Sequence, residues 1–286
     1  MSGGYLFTYI SIVYLLLGWA LYLPYRLRQL HFLAVACSVV GAYVGAVAML
    51  NFAVPWWLAL PLVALIGALV GFLVSLIVAE APTFTVVIVG LTALIIVRTI
   101  ASNTPYLGSS LGLFGLPAVN RGALMVVAVG LALATILCMW LFERSTLGLA
   151  ARAAYSSRGL VAAQGYSIPR LGRLLQTVSC GLGATAGFLY ILPFRNLFPG
   201  FFDFGFLGTV VTMLFVGGHG TPYGLFISVP VLWGLSFVLP DSIENLRLVI
   251  YAVALIVVLV FRPEGLLTRR LVVRAVRRLS SGKGDR

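Results

Sequence analysis

Long apolar runs recur from one end of the chain to the other, separated by short stretches rich in glycine, proline or arginine. An α-helix of about 20 apolar residues matches the roughly 30 Å hydrocarbon core of a bilayer. The pattern therefore predicts an all-α fold, a polytopic transmembrane helical bundle of about 8–10 spans. We place the spans near residues 5–23, 31–50, 56–79, 83–101, 122–142, 174–193, 205–217, 222–239 and 247–261.

The run at 205–217 is short for a complete crossing and leads into a glycine-rich stretch, Gly217-Gly218-His219-Gly220. Non-helical backbone is tolerated at membrane depth only where protein or a cavity surrounds it. A broken or re-entrant helix pair is therefore predicted at this point.

Composition excludes an ordinary soluble domain, because 61% of the 286 residues are hydrophobic and only 9% are charged, against roughly 25% charged in soluble proteins. The first run, Tyr5 to Leu23, has no cationic residue before it and no small-residue cleavage site after it. We expect a retained helix there rather than a removed signal peptide.

The distribution of cationic residues predicts the orientation. If the polar segment 143–173 is cytoplasmic and the spans alternate, only Arg98, Arg121, Arg195 and Arg247 of the 19 arginines and lysines lie outside. Positive charge concentrates on the cytoplasmic side of membrane proteins. We therefore expect the N-terminus outside and the C-terminus in the cytoplasm.

Residues 1–262 are predicted to form a single transmembrane domain, followed by a basic tail at 263–286. In the tail, Leu267, Leu271, Ala275 and Leu279 recur every four residues among arginines. Two interpretations stay open: an amphipathic helix on the anionic leaflet of the membrane, or a disordered tail that only sets topology. We expect no nucleic-acid partner despite the net charge of +12, because the charge lies next to membrane spans.

Chemical motifs are scarce. Cys37, Cys138 and Cys180 lie within apolar runs without histidine or carboxylate neighbours, which predicts buried free thiols and no metal site. The chain has no phosphate-binding GxxxxGK[ST] loop and no HExxH motif, so it is not expected to be an enzyme. No carboxylate falls near the middle of a span, so energy for any transport is expected to come from elsewhere. His31 is expected near a membrane interface.

Small residues recur at a spacing of four in three spans, in the pairs Gly41/Gly45, Gly67/Gly71 and Gly183/Gly187. In lipid, such pairs let helix backbones approach closely. We expect them to act chiefly in helix packing.

The segment 143–173 is polar and basic, with a single carboxylate, Glu143. Inside it, the small apolar stretch Leu160–Gly165 predicts a short cytoplasmic helix, with Pro169 as its stop. Arginines flank it at 152, 158, 170 and 173. Such a helix suits a groove on a partner protein, with an interfacial helix lying on lipid as the alternative.

At these residues the chain resembles the permeases of branched-chain amino acid ABC importers, the leucine/isoleucine/valine type. The resemblance rests on the order and spacing of several motifs rather than on any one of them. The motifs are Gly148, Arg152-Ala153, Ala162-Ala163 and Gly165; Ser179-Cys180-Gly181 and Gly183–Gly187; Val216–Gly224; Phe261–Leu266; and, more weakly, Gly41-Ala42-Tyr43 and Gly112–Pro117.

The resemblance implies a non-catalytic permease subunit in a bacterial cytoplasmic membrane, with no cofactor of its own because partner subunits bind ATP and magnesium. Its partners would be a second permease subunit, in a heteromer, two cytoplasmic ATPases and an extracytoplasmic substrate-binding protein, besides membrane lipid. The implied ATPase-coupling residues are Arg152, Ala153, Arg158, Leu160, Val161, Ala162, Ala163, Gly165 and Pro169. The implied substrate pathway includes Gln29, Gly41, Tyr43, Gly217, Gly218 and Gly220.

Two departures from the family pattern stand out. The family's Gly-Gln-Ser-Leu-Gly stretch before the second span is replaced by Arg28–Leu33, in which only Gln29 and Leu30 remain. No acidic residue occurs between Arg144 and Phe202. A branched-chain amino acid is the first expectation for the solute, with urea, short amides and small carboxylates open. The alternative is an ATP-independent facilitator, channel or scaffold.

Overall fold

A computed structural model describes residues 3–78, 80–218, 220–238 and 247–261. The α-helices are α1 (Gly3–Tyr25), α2 (Leu33–Asn51), α3 (Trp56–Val78), α4 (Thr83–Asn103), α5 (Arg121–Arg144), α6 (Thr146–Ser156), α7 (Arg158–Ala163), α8 (Ile168–Ile191), α9 (Phe204–Gly217), α10 (Leu225–Val238) and α11 (Arg247–Phe261). Two short strands, β1 (Leu113–Phe114) and β2 (Asn196–Leu197), pair antiparallel. The predicted all-α, polytopic fold is confirmed.

Six helices, α1 to α5 and α8, are each long and apolar enough to cross a bilayer. Helix α9 and the segment Pro222–Leu235 pass that test only together, with a bend of 113° between them. The predicted break at the glycine-rich stretch is therefore present, and it accounts for two of the predicted spans. Helix α11 contains a shorter apolar stretch, Val249–Val258. The orientation of the termini stays a prediction.

The long helices differ in how much of their surface the chain itself covers. In the most apolar windows of α1, α2 and α8, 83%, 78% and 72% of the residues are buried, against 28%, 22% and 17% in α3, α4 and α5. We call α1, α2 and α8 the inner helices, and α3, α4 and α5 the outer helices. Exposed leucine and isoleucine on an outer helix carry no penalty in lipid, because lipid tails are equally apolar.

Contact between backbones holds the inner helices together. A Cβ atom on Gly183 of α8 would overlap the Ala34 carbonyl of α2, and one on Gly187 would overlap the Ser38 carbonyl. In the opposite direction, a Cβ on Gly41 would overlap the backbone of α8. The packing role predicted for these small residues is confirmed, because a larger side chain would force the two helices apart.

Helix α3 packs on α8 through glycine as well. Gly67 and Gly71 face Ala184 and Cys180, and a Cβ on either glycine would overlap those side chains. Cys37 and Cys180 are buried free thiols, as predicted. Cys138 is free but exposed, which corrects the expectation of burial. The difference arises because Cys138 lies on an outer helix, where an apolar run does not imply burial by the same chain.

Backbone contacts divide the chain into two compact units, Met1–Leu207 and Gly208–Arg286. In the second unit, the Ser228 hydroxyl donates a 2.6 Å hydrogen bond to the Met213 carbonyl, and the Tyr251 hydroxyl donates to the Leu232 carbonyl at 2.9 Å. The single domain at 1–262 stays a prediction. The basic tail, His219 and most of the motif after Phe261 lie outside the described residues.

Candidate coupling site and solute pathway

The polar segment 143–173 folds into two short helices between α5 and α8. A tight turn starts the first, α6, where the Ser145 hydroxyl accepts a hydrogen bond from the Gly148 N–H at 3.1 Å. This is a helix N-cap. A Cβ on Gly148 would overlap the Phe142 carbonyl at the end of α5. The glycine is thus required for α6 to begin directly after α5.

An ion pair attaches this turn to the first helix. The Arg26 guanidinium lies 2.6 Å from Glu143 Oε1, with side-chain exposures of 10% and 20%. The Tyr22 hydroxyl donates to the same oxygen at 3.2 Å. Removing one partner of a charge pair that is so little exposed to solvent strongly destabilises the protein. The single carboxylate of the segment is therefore engaged within the chain.

The C-terminal end of α6 contacts the end of α1 and the loop that follows it. The Arg28 guanidinium lies 4.6 Å from the centroid of the Tyr155 ring, and the Tyr25 and Tyr155 rings are 6.3 Å apart. Cation–π and aromatic contacts of this kind stabilise by about 1 kcal/mol. Helix α6 is thereby attached to α1 and the loop after it, through Glu143 just before its start and Tyr155 near its end.

Helix α7 is short but sharply bounded. At its start, the Ser157 hydroxyl accepts from the Leu160 N–H at 3.5 Å. At its end, the Gly165 N–H donates to the Ala162 carbonyl at 3.0 Å and the Tyr166 N–H to the Val161 carbonyl at 3.3 Å. These two bonds form a Schellman motif. Gly165 has φ of 85°, a left-handed conformation that favours glycine.

Most of the described α7 surface faces away from the chain. Leu160 is 68% exposed, whereas Val161 is only 1% exposed and anchors the helix. Ala162, Ala163 and Gly165 are exposed. An exposed leucine beside small side chains gives a smooth apolar surface of the kind that seats in a partner's groove.

The predicted coupling residues on α6 have different surroundings. Ala153 is exposed, whereas Arg152 is half-buried with its Nε shielded from solvent. Arg158 begins α7. Arg152 thus lies partly within the chain, whereas the sequence pattern predicts it at the rim of the docking helix.

Pro169 does not end the predicted docking helix. Helix α7 stops at Ala163, through the glycine turn at Gly165, and Pro169 is the second residue of α8. Proline is favoured in the first turn of a helix because the N–H that it lacks has no intrahelical partner there. The correction moves the predicted stop from Pro169 to Gly165 and extends α8 to Ile168.

In the predicted pathway, Gln29 is 1% exposed and accepts a 3.3 Å hydrogen bond from Gln176 Nε2 of α8. Gln176 Oε1 has no hydrogen-bond partner within the described ranges. His31, expected near an interface, is fully buried. Burial lowers the pKa of the His31 imidazole, which lies between α1 and α2, to about 4. It is therefore neutral at neutral pH.

The other two pathway residues of the first unit lie on different faces of α2. Gly41 contacts the backbone of α8, as described above. Tyr43 lines an apolar cavity of about 460 Å³ that also includes residues of α4 and the turn at 105–107. The Tyr43 hydroxyl is buried without a hydrogen-bond partner in the described part of the chain. The structure thus does not bring Gly41 and Tyr43 to one surface.

Three predicted pathway glycines form the turn after α9. A Cβ on Gly217 would overlap the backbone of Gly224, so this glycine allows the ends of α9 and α10 to meet. Gly218 has φ of 110°. A Cβ added to Gly220 would have no described heavy atom within 4 Å. The turn explains Gly217 and Gly218 structurally, and the part of all three in a pathway stays a prediction.

Comparison with known protein families identifies the chain. The family described as branched-chain amino acid transport system / permease component matches residues 5–259. The chain belongs to this family. It is thus a multi-pass membrane permease component, and the family belongs to ABC transport systems. No match was found among curated proteins or among solved structures.

Two features of the permease were missed by sequence reasoning. One is Gln176, although an amide within a membrane helix is itself a signal of a polar contact or pathway. The pairing of Arg26 with Glu143 joins residues 117 positions apart. The signal for it was present in the charges alone, since Glu143 is the one acid in a basic segment.

Proposed function

We propose that the chain is the transmembrane subunit of an ABC importer in a bacterial cytoplasmic membrane, and that α7 is its coupling helix. The observation that supports the proposal best is the exposed surface of α7, with Leu160 at 68% exposure, in a chain of this permease family. Such a surface is expected to seat in a groove of a cytoplasmic ATPase.

The fastening of α6 and α7 explains how ATPase movement would reach the transport pathway. Helix α6 contacts α5, α7 and α8, and α7 contacts α8. The Arg26–Glu143 pair adds a connection to α1. Movement of an ATPase holding α7 would thus be transmitted to two inner helices, as in rigid-body switching of packed elements.

The ATPase groove that accepts α7 is expected to be acidic. Arg144 is exposed within the segment, and the one carboxylate of the segment is already paired. Complementary charge at the rim of an interface mainly raises the rate of association and selects the partner. This permease would therefore discriminate against ATPases with basic grooves.

The solute is proposed to be small and polar or amphipathic, with a branched-chain amino acid first. Urea, short amides and small carboxylates remain alternatives because Gln29 sits in a loop that departs from the family pattern. Two ATPases would bind ATP and magnesium, a second permease subunit would complete the pathway, and an extracytoplasmic binding protein would deliver the solute.

Co-expression with the cognate ATPase tests the coupling assignment. Leu160→Ala should weaken ATPase binding about tenfold, the effect of removing a hydrophobic contact at the centre of an interface. Leu149→Ala removes a similarly exposed leucine, 53% exposed on α6, and should leave binding unchanged. Gly165→Arg should abolish uptake because it adds a long side chain to the exposed surface at the end of α7.

Uptake that survives Gly165→Arg, or equal effects of the two leucine variants, would refute the coupling role of α7. Solute flux through the purified chain alone, independent of ATP, would instead favour a facilitator or channel. Solute identity is measured separately, from the compounds that bind the partner binding protein.

A further inference from the structure

The first turns of α8 carry one continuous stripe of side chains. Arg170, Arg173, Leu174, Thr177 and Val178 are spaced at three and four residues, so they share one face of the helix. With Phe72 of α3, they line a cavity of about 450 Å³. Two cationic side chains thus head the cavity, and apolar side chains continue it along the helix.

The positive charge at the head of this cavity is not neutralised by a carboxylate. Neither Arg170 nor Arg173 forms an ion pair with a residue in the described ranges. The cavity also lies at the N-terminal end of α8, where the helix dipole adds positive potential. The Thr177 hydroxyl already donates to the Arg173 carbonyl at 2.8 Å. An anion is therefore the ligand that the two arginines fit.

The apolar end of the stripe borders a second cavity. Leu174 and Val178 also line a space of about 400 Å³ on the α5 side of α8, with Leu131, Cys138 and Met139 among its walls. The two cavities therefore share Leu174 and Val178 as a common ridge. One cationic head above two apolar grooves matches the shape of a lipid with one phosphate and two acyl chains.

We propose that Arg170 and Arg173 bind the phosphate of an anionic diacyl phospholipid, with its acyl chains on either side of Leu174 and Val178. A lipid fits better than a free anion because both grooves are apolar and are formed by α1, α3, α5 and α8, helices long enough to cross a bilayer. Basic pockets between transmembrane helices bind anionic headgroups in this way.

Native mass spectrometry of the delipidated full-length permease, titrated with phosphatidylglycerol, tests the site. The double variant Arg170→Gln/Arg173→Gln should weaken binding about thirtyfold, from the loss of two cationic contacts. The double variant Arg121→Gln/Arg144→Gln removes the same charge from the two ends of α5 and should bind normally. Arg170→Lys/Arg173→Lys should restore most of the affinity.

Three further measurements can overturn the proposal. Phosphatidylcholine should bind all variants weakly and with the same affinity. If the double variant Arg170→Gln/Arg173→Gln loses affinity for phosphatidylcholine as much as for phosphatidylglycerol, the site does not recognise anionic charge. Displacement of the lipid by millimolar glycerol 3-phosphate would indicate a small-anion site. If the double variant keeps phosphatidylglycerol but loses the ATPase in neutral-lipid nanodiscs, the arginines serve the ATPase instead.

Discussion

Glycine and alanine are frequent both in α8 and in the α6–α7 segment, yet the two regions use them for opposite purposes. In α8, Gly183 and Gly187 lie against the backbone of α2, and any side chain would overlap it. In and after α7, Gly159 and Gly165 have no described heavy atom within 4 Å of an added Cβ. Small residues thus allow the inner helices to pack closely, whereas in and after α7 they leave the surface exposed.

The difference indicates which helix surfaces are covered by the permease chain itself and which are left for a partner. The inner helices are covered by their own chain, so they can hold their arrangement without a partner. Helix α7 spans six residues, too few to be stable in isolation. It depends on its Ser157 cap, its glycine stop and the buried Val161, and its remaining surface is open to another protein.

The largest effect is expected from filling the contact between α2 and α8. Gly187→Leu should destabilise the permease by more than about 3 kcal/mol, because the backbone of α2 cannot yield as a side chain can. Thermal unfolding in detergent and the yield of folded protein measure it. Gly130→Leu on α5, where no described heavy atom lies within 4 Å of an added Cβ, is the control and should be near neutral. Equal losses would contradict the comparison.

The next largest effect tests the ion pair that attaches the start of the segment 143–173 to the loop after α1. Glu143→Gln removes one charge of the Arg26 pair and should destabilise the permease by about 3 kcal/mol, the low end for buried pairs because both side chains keep some solvent. A double-mutant cycle with Arg26→Gln isolates the pair. Strict additivity of the two single variants would show that the pair does not couple the end of α5 to the loop after α1.

A smaller effect, dependent on pH, concerns the loop at the base of the inner helices. The pKa of His31 is lowered by burial to about 4, against about 6.5 for an unfolded histidine. The unfolded chain therefore binds the proton first, and stability is lost as pH falls from about 6.5 towards 4. At pH 5 the loss attributable to His31 should be about 2 kcal/mol.

Unfolding of the parent and of His31→Gln at pH 7 and pH 5 measures that loss. Glutamine cannot take up a proton in this range, so the variant should lose less stability on acidification than the parent. Identical pH dependence in the two proteins would show that His31 is not the group responsible.

Local signals in the sequence predicted the helices and their ends, whereas most contacts between residues distant in sequence left no local signal. The lengths of apolar runs predicted the spans, and Gly217 with its neighbours predicted the bend after α9. A glycine and a proline, Gly165 and Pro169, provided competing stops for α7, and the sequence pattern favoured Pro169 although Gly165 ends the helix. The burial of His31 was not predicted, because an isolated histidine at the edge of an apolar run carries no sign of what packs on it.

Within the candidate site, the exposed apolar face of α7 followed from its composition, whereas the Gln29–Gln176 contact did not. Those two residues lie 147 positions apart, and no local pattern links them. The burial of Arg152 was missed for the same reason, since it depends on how α6 lies against the rest of the chain.

The smallest effect gives the sharpest contrast, because one substitution is made at two open glycines, one inside α7 and one just after it. Gly165→Ala should destabilise the end of α7 by about 1 kcal/mol, since φ of 85° is unfavourable for an L side chain. Gly159→Ala adds the same methyl group inside the helix, at an ordinary φ, and should stabilise it by up to about 1 kcal/mol.

Hydrogen exchange of the α7 amides measures both effects, with faster exchange expected for Gly165→Ala and slower exchange for Gly159→Ala. ATPase affinity should move in the same directions, by at most about fivefold in each, because the partner binds only the folded helix and affinity follows the folded fraction. If both variants instead weaken ATPase binding without changing exchange, the added methyl groups obstruct the docking surface. Glycine would then be needed at both positions for contact with the partner, and α7 would resemble α8 after all.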